Sequence, residues 1–238
     1  MMALWVPGDS TIVFAEGKKV SVGRQEDFVC TQVIGYSQVN QWYKGFESML
    51  DNDRWELLWH TGAGVDRWSD PNFKGWTDKI VSPAKQQSRD PDRVVLSISG
   101  DYGDDVGMWA RKILETVDVI HSKYKNVRLI VLQPVIGGHN HEACPAPAGE
   151  SGKKVGGGSQ GTGGNEIVRA AYQHPYIDQA IAKVVAGDKT GRLVTGASPE
   201  VRSCKDYSDA KGHLTSSASD PIGRSIAEFY ILGGAENP

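Results

Sequence analysis

The feature that most constrains this chain is a repeated alternation of short apolar runs with helix-patterned stretches. The apolar runs are residues 27–36, "WELLWHTGAG" (55–64), "DRVVLSISG" (92–100), "VRLIVLQPVIGG" (127–138) and "GRLVTGASP" (191–199). They are apolar on both alternating faces, as strands covered from two sides must be, and this requires a parallel sheet between helix layers. Helical periods fill the gaps. Trp42, Phe46 and Leu50 recur at four-residue spacing after the first run, 104–124 opens on an acidic turn, and 174–187 and 219–231 follow the later runs. The expectation is a single α/β domain over residues 1–238 with a three-layer α/β/α arrangement and a five-stranded parallel sheet.

Two segments stand outside the alternation. Residues 3–22 read as a β-hairpin turning at "AEG", which makes residues 1–25 an N-terminal appendage. Residues 144–166 are low-complexity and glycine-rich. Because the alternation resumes after them, residues 145–165 read as a flexible surface loop or lid within the domain. This loop fails as a phosphate cradle, since Lys154 follows Gly152-Lys153 where Ser or Thr is needed.

Composition narrows the function. With 39% hydrophobic and 23% charged residues and a net charge of -3, the chain is a packed globule with no basic patch for nucleic acid. No apolar segment approaches the ~20 residues of a membrane span. The opening lacks the pattern of a signal peptide. A secreted or periplasmic protein whose leader had been removed would read the same way, so the compartment stays open. Three cysteines without CxxC spacing argue against a zinc or redox motif. Cys30 reads as a core residue, while Cys144 and Cys204 sit in polar loops and are a candidate pair in an exported protein.

In parallel α/β folds, functional groups gather at the carboxyl ends of the strands. Ser37, Gly62 to Asp66, Gly100 to Asp105, Gly137 to Cys144 and Pro199 to His213 all fall there. A serine becomes a nucleophile when a histidine, oriented by a carboxylate, takes its proton. "DYSDAKGHLT" supplies His213 as the base, with Asp209 or Asp206 to orient it. Ser10, in "VPGDST", competes with Ser37. Strand and turn follow Ser10, however, whereas a helix follows Ser37, so Ser37 is the expected nucleophile and Ser10 a turn residue. The plain alternative is a Ser37 that only caps its helix.

From residue 27 to residue 231 this arrangement resembles the SGNH (GDSL-type) hydrolase superfamily. The resemblance implies a flavodoxin-like sheet and a carboxylester hydrolase working through an acyl-enzyme, with no cofactor. It implies the nucleophile at Ser37 in "IGYSQ", an oxyanion-binding glycine at Gly62 or Gly64 in "HTGAGVDRW", with Gly64 preferred, and the base at His213. The N–H groups of Ser37 and Gly64 would hold the oxyanion. The family's third block, G-x-N-D, is matched only in position by "SISGDYGDD". No asparagine follows Gly100, so backbone donors near Tyr102 and Gly103 are expected instead. The Asp209 to His213 spacing is also one residue wider than the family's.

Family habit suggests short acyl or acetyl groups on a carbohydrate or small alcohol as substrate. Trp68, Trp76, Tyr102 and His139 are the candidate substrate-binding residues, the tryptophans as a stacking wall. "GYSQ" also resembles the nucleophile elbow of cutinases and other α/β-hydrolases; that is the alternative esterase fold. Two readings come from other classes. One is a non-catalytic carbohydrate-binding relative. The other is a metal-dependent hydrolase using His139, His141, Glu142 and Cys144, with His60 or Cys204 completing the site.

Overall fold

A computed structural model of the chain describes residues 22–50, 54–78, 90–138, 143–147 and 167–234, with the backbone of 12–13 and 19–20. Strands β1 (Ile12–Val13) and β2 (Lys19–Val20) pair antiparallel; the rest of the expected N-terminal hairpin lies outside the described residues. So does most of the glycine-rich loop. At its edges Pro145 bridges Ile167 in antiparallel fashion.

The five apolar runs form one parallel sheet. Its strands are β3 (Thr31–Gly35), β4 (Trp55–Trp59), β5 (Arg93–Ser97), β6 (Leu129–Gln133) and β7 (Leu193–Thr195), in the order β4-β3-β5-β6-β7. Every residue of β3, β5 and β6 is buried, as expected for strands covered on both faces. The helices are α1 (Ser37–Glu47), a one-turn α2 (Val65–Trp68), α3 (Val106–Lys123), α4 (Arg169–Gly187) and α5 (Ser216–Ile231). α1 packs on α5 and α3 on α4, giving the three-layer α/β/α arrangement. α1 and α5 meet backbone to backbone at two glycines. A Cβ on Gly45 would stand 2.3 Å from the Asp220 carbonyl, and one on Gly223 would stand 2.0 Å from that of Trp42.

Two helices begin earlier than their sequence pattern indicates. Pro175 and Pro221 each read as a helix start, yet both lie inside, in α4 and α5. Each proline lies in the second turn and so gives up one intrahelical hydrogen bond, to the carbonyl of Ala171 or of Ser217. Burial of Ala170, Ala171 and Gln173 carries α4 back to residue 169. The strand order reverses direction between the adjacent strands β3 and β5, since the chain leaves β3 for β4 on one side and β5 for β6 on the other. The cleft at such a reversal is where open α/β sheets place their ligands, and Ser37 stands directly after β3.

Candidate functional site

Ser37 is the first residue of α1. Its neighbour Tyr36 is the extended N-cap, so Ser37 does not cap the helix. Its Oγ lies 2.6 Å from His213 Nε2. On the other side of the ring, His213 Nδ1 is hydrogen-bonded to Asp209 Oδ2. Asp209 Oδ1 accepts from the main-chain N–H of Lys211 at 2.9 Å and of His213 at 3.0 Å. Burial alone would raise the Asp209 carboxyl, but the hydrogen bonds from the His213 ring and amide outweigh it and hold its pKa below the usual value. An ionised Asp209 accepts only, so Nδ1 carries the proton and Nε2 is left to accept from the Ser37 hydroxyl.

The wide Asp209 to His213 spacing has a local explanation. Gly212 takes a left-handed φ of +88°, closing a turn in which its N–H reaches the Asp209 carbonyl at 3.3 Å. Any Cβ there would also strike Ala170 Cβ at 2.3 Å, so the turn requires glycine twice over. Asp206 faces elsewhere. Its carboxylate caps its own turn by accepting from Ser203 N at 3.1 Å. Between the two candidate aspartates, the geometry selects Asp209.

Two glutamines hold this chain of side chains together. Gln38 is fully buried. Its Nε2 donates to the carbonyls of Ile136 and Gly212, both at 2.8 Å. Its Oε1 accepts from Ile136 N at 3.0 Å and from the Tyr36 hydroxyl at 2.8 Å. One turn on, Gln41 Oε1 accepts from Leu214 N at 2.9 Å. The helix that presents Ser37 thus grips the main chain on both sides of His213. Sequence reasoning passed over both residues. The available signal was a pair of glutamines three apart in a helix otherwise patterned for burial.

Ser37 and His213 open into a cavity of about 630 Å³ also lined by Gly64, Asp66, Gly100, Asp101, Tyr102, Arg169, Gln173 and Lys211. Neither Ser37 N nor Gly64 N donates to a main-chain acceptor among the described residues. A Cβ on Gly64 would stand 2.5 Å from the Ser99 carbonyl and 2.9 Å from Gly100 Cα, so the end of β5 closes directly on this glycine. Tyr102 follows. Its ring packs edge-on to Trp109 at 4.9 Å, and its hydroxyl is buried with no hydrogen-bond partner among the described residues. Burial first, then the charges of Asp66 and Glu115, push this phenol up to about 12, so it is a neutral donor at physiological pH.

Three expected residues are placed differently. Gly103 does not line the cavity; it sits in a turn at φ +54° and gives its carbonyl to Trp109 Nε1 at 3.1 Å. Trp68 is fully buried and donates to the Ala63 carbonyl at 2.9 Å, and Trp76 donates to the Asp70 carbonyl at 3.0 Å. The two rings pack edge to face, 4.9 Å apart, with Phe73 against Trp68. They are core beneath the loop and form no stacking wall. His139 lies outside the described residues, as do His141 and Glu142.

Cys144 and Cys204 form a disulfide, which removes both thiolates from the metal reading and ties the segment after β6 to the turn before Asp209. Among the described residues no group of three or more His, Cys, Asp or Glu side chains comes together, and no helix is long and apolar enough to cross a membrane. Comparison with known proteins gave no match to a family model or to a curated protein.

Proposed function

We propose that the chain is a serine carboxylester hydrolase, a divergent member of the SGNH superfamily, that removes acetyl or other short acyl groups from a carbohydrate or small alcohol. The observation that carries this reading is the hydrogen bond of 2.6 Å from Ser37 Oγ to a His213 ring whose other nitrogen is tied to Asp209. In this reading Ser37 Oγ attacks the ester carbonyl as His213 Nε2 takes its proton. The imidazolium, steadied by Asp209, then protonates the departing alcohol. Water repeats the sequence on the acyl-enzyme and frees the acid and Ser37.

The oxyanion would be held by the N–H groups of Ser37 and Gly64. The third donor, sought in the sequence near Tyr102 and Gly103, is assigned here to the buried Tyr102 hydroxyl. A donor aimed at the oxyanion is worth ~10²–10³ in turnover. The cutinase alternative is less well supported, because Ser37 directly follows the first strand of the five-stranded parallel sheet. The non-catalytic reading loses its tryptophan wall.

Hydrolysis of p-nitrophenyl acetate tests the proposal. Wild type should show an initial burst of nitrophenol, as an accumulating acyl-enzyme requires, and the burst should vanish in Ser37→Ala. Wild-type turnover no faster than that of Ser37→Ala would overturn it.

A further inference from the structure

The cavity beside Ser37 has a second polar wall, which the mechanism does not use. It is built from α4 and the end of β5. Arg169, Gln173 and Ile177 follow at four-residue spacing along α4, and all three line the cavity. Gln173 is 3% exposed. Its Oε1 is buried with no hydrogen-bond partner among the described residues, and its Nε2 is 3.4 Å from Asp101 Oδ1. Asp101 Oδ2 in turn stands 3.4 Å from Arg169 Nη2. Both contacts are at the long limit for polar pairs, and both leave capacity to bind something else. A buried amide oxygen with no donor lowers stability, so a native fold that keeps one calls for a reason, and a ligand that brings the donor is such a reason.

We propose that Gln173, Asp101 and Arg169 form a subsite for hydroxyl groups on the alcohol portion of the ester, which makes the substrate an acylated sugar or polyol. The proposal rests on the serine esterase reading for the ester itself. A hydroxyl both donates and accepts. It satisfies Gln173 Oε1 or Asp101 as a donor, and it accepts from Arg169, whose guanidinium only donates. Val135, Ala170 and Ile177 line the same cavity and give the C–H face of a sugar ring an apolar surface. An alkyl alcohol would cover the polar wall and leave it unpaired. An anionic ligand would meet Asp66 and Asp101 in the cavity that holds Arg169 and Lys211.

Two acetate esters of similar size isolate the hydroxyls: an acetylated methyl glucopyranoside and cyclohexylmethyl acetate. Wild type should favour the sugar ester in kcat/KM by about tenfold or more, the worth of one or two buried hydrogen bonds. Gln173→Leu should cut that ratio about tenfold. Asp101→Asn, at a more exposed position that tolerates change, should also lower it and stands in if the leucine variant does not fold. A wild-type ratio near one, or a ratio unchanged in the folded variants, overturns the subsite.

Failure of the esterase reading looks different. There, neither ester is hydrolysed, and direct binding decides the subsite. Ligand-observed NMR on wild type should show methyl glucopyranoside bound, and its signal lost in Gln173→Leu. Equal binding of cyclohexylmethanol, or no binding of the sugar, overturns the proposal.

Discussion

Asp92 and Asp209 are two buried-edge aspartates held almost alike at opposite ends of the sheet. Asp92, just before β5 at its amino edge, accepts from the main-chain N–H of Cys30 at 3.0 Å and Val29 at 3.2 Å, and from Arg128 Nη2 at 2.8 Å. Asp209, at the carboxyl edge, accepts from two main-chain N–H groups and from His213 Nδ1. Burial pushes both carboxyls up, but hydrogen bonds outweigh it and both pKa values lie below the ordinary one.

The difference lies in the third partner. A guanidinium is a permanent cation with no acceptor, so Arg128 can only donate, to Asp92 and at 2.7 Å to the Asp27 carbonyl, and the assembly is a clamp. An imidazole has a second nitrogen, and His213 turns it on Ser37. The same carboxylate environment ends in a clamp at one edge and in a hydrogen bond to a serine at the other; in the proposed mechanism only the second moves a proton.

The sharpest way to break this contrast is at the far end of the relay. Ser37→Ala and His213→Ala should each reduce ester turnover by ~10⁴–10⁶, because the residues act as a unit, and the double variant should be little worse than either. Steady-state kinetics on the three proteins checks this; additive losses would mean that the two side chains act separately. Next come the aspartates themselves. Asp209→Asn should cost ~10⁴ in kcat by favouring the wrong imidazole tautomer. Asp92→Asn should leave kcat unaltered and lower unfolding stability by about 1–3 kcal/mol, read from urea melts.

Tyr102→Phe should lower kcat by about 10² with little change in KM if its hydroxyl serves the oxyanion. A change in KM alone would return Tyr102 to substrate binding. The disulfide belongs to the carboxyl edge only. Cys144→Ser with Cys204→Ser should lose about 2–4 kcal/mol of stability for a bridge across 60 residues, measured by denaturant unfolding.

The smallest effect is on pH. Both carboxyls have folded pKa values depressed below the unfolded aspartate value of about 3.9, so each adds stability that is present above that value. This contribution is lost as pH falls through the folded pKa. The gap in urea midpoint between wild type and Asp92→Asn should therefore narrow from pH 7 to below about pH 4. A gap that persists in acid would assign the loss to packing.

That Ser37 meets His213 with an aspartate just upstream was legible because strand-end position and local spacing are properties of the chain itself. Asp209 and Asp206 were not separable, since the choice depends on a turn that only Gly212 and its contact with Ala170 define. Trp68 and Trp76 misled. A tryptophan in a loop has the same sequence signature whether it stacks on a ligand or packs on Phe73, and burial is decided by the fold. Gln38, Gln41 and Gln173 were hidden for the opposite reason. A glutamine in a helix reads as solvent face, and nothing local shows that Ile136 or Gly212 comes to meet it. The fold was easier, because five doubly covered strands leave few arrangements.

The most direct measurement is the intact mass of the protein after reaction with a fluorophosphonate probe, with peptide mapping of the adduct. A single adduct on Ser37, absent in Ser37→Ala and His213→Ala and slowed in Asp209→Asn but not in Asp92→Asn, is the expected result. No adduct, or one on Ser10, would contradict the assignment of Ser37 and His213 as nucleophile and base.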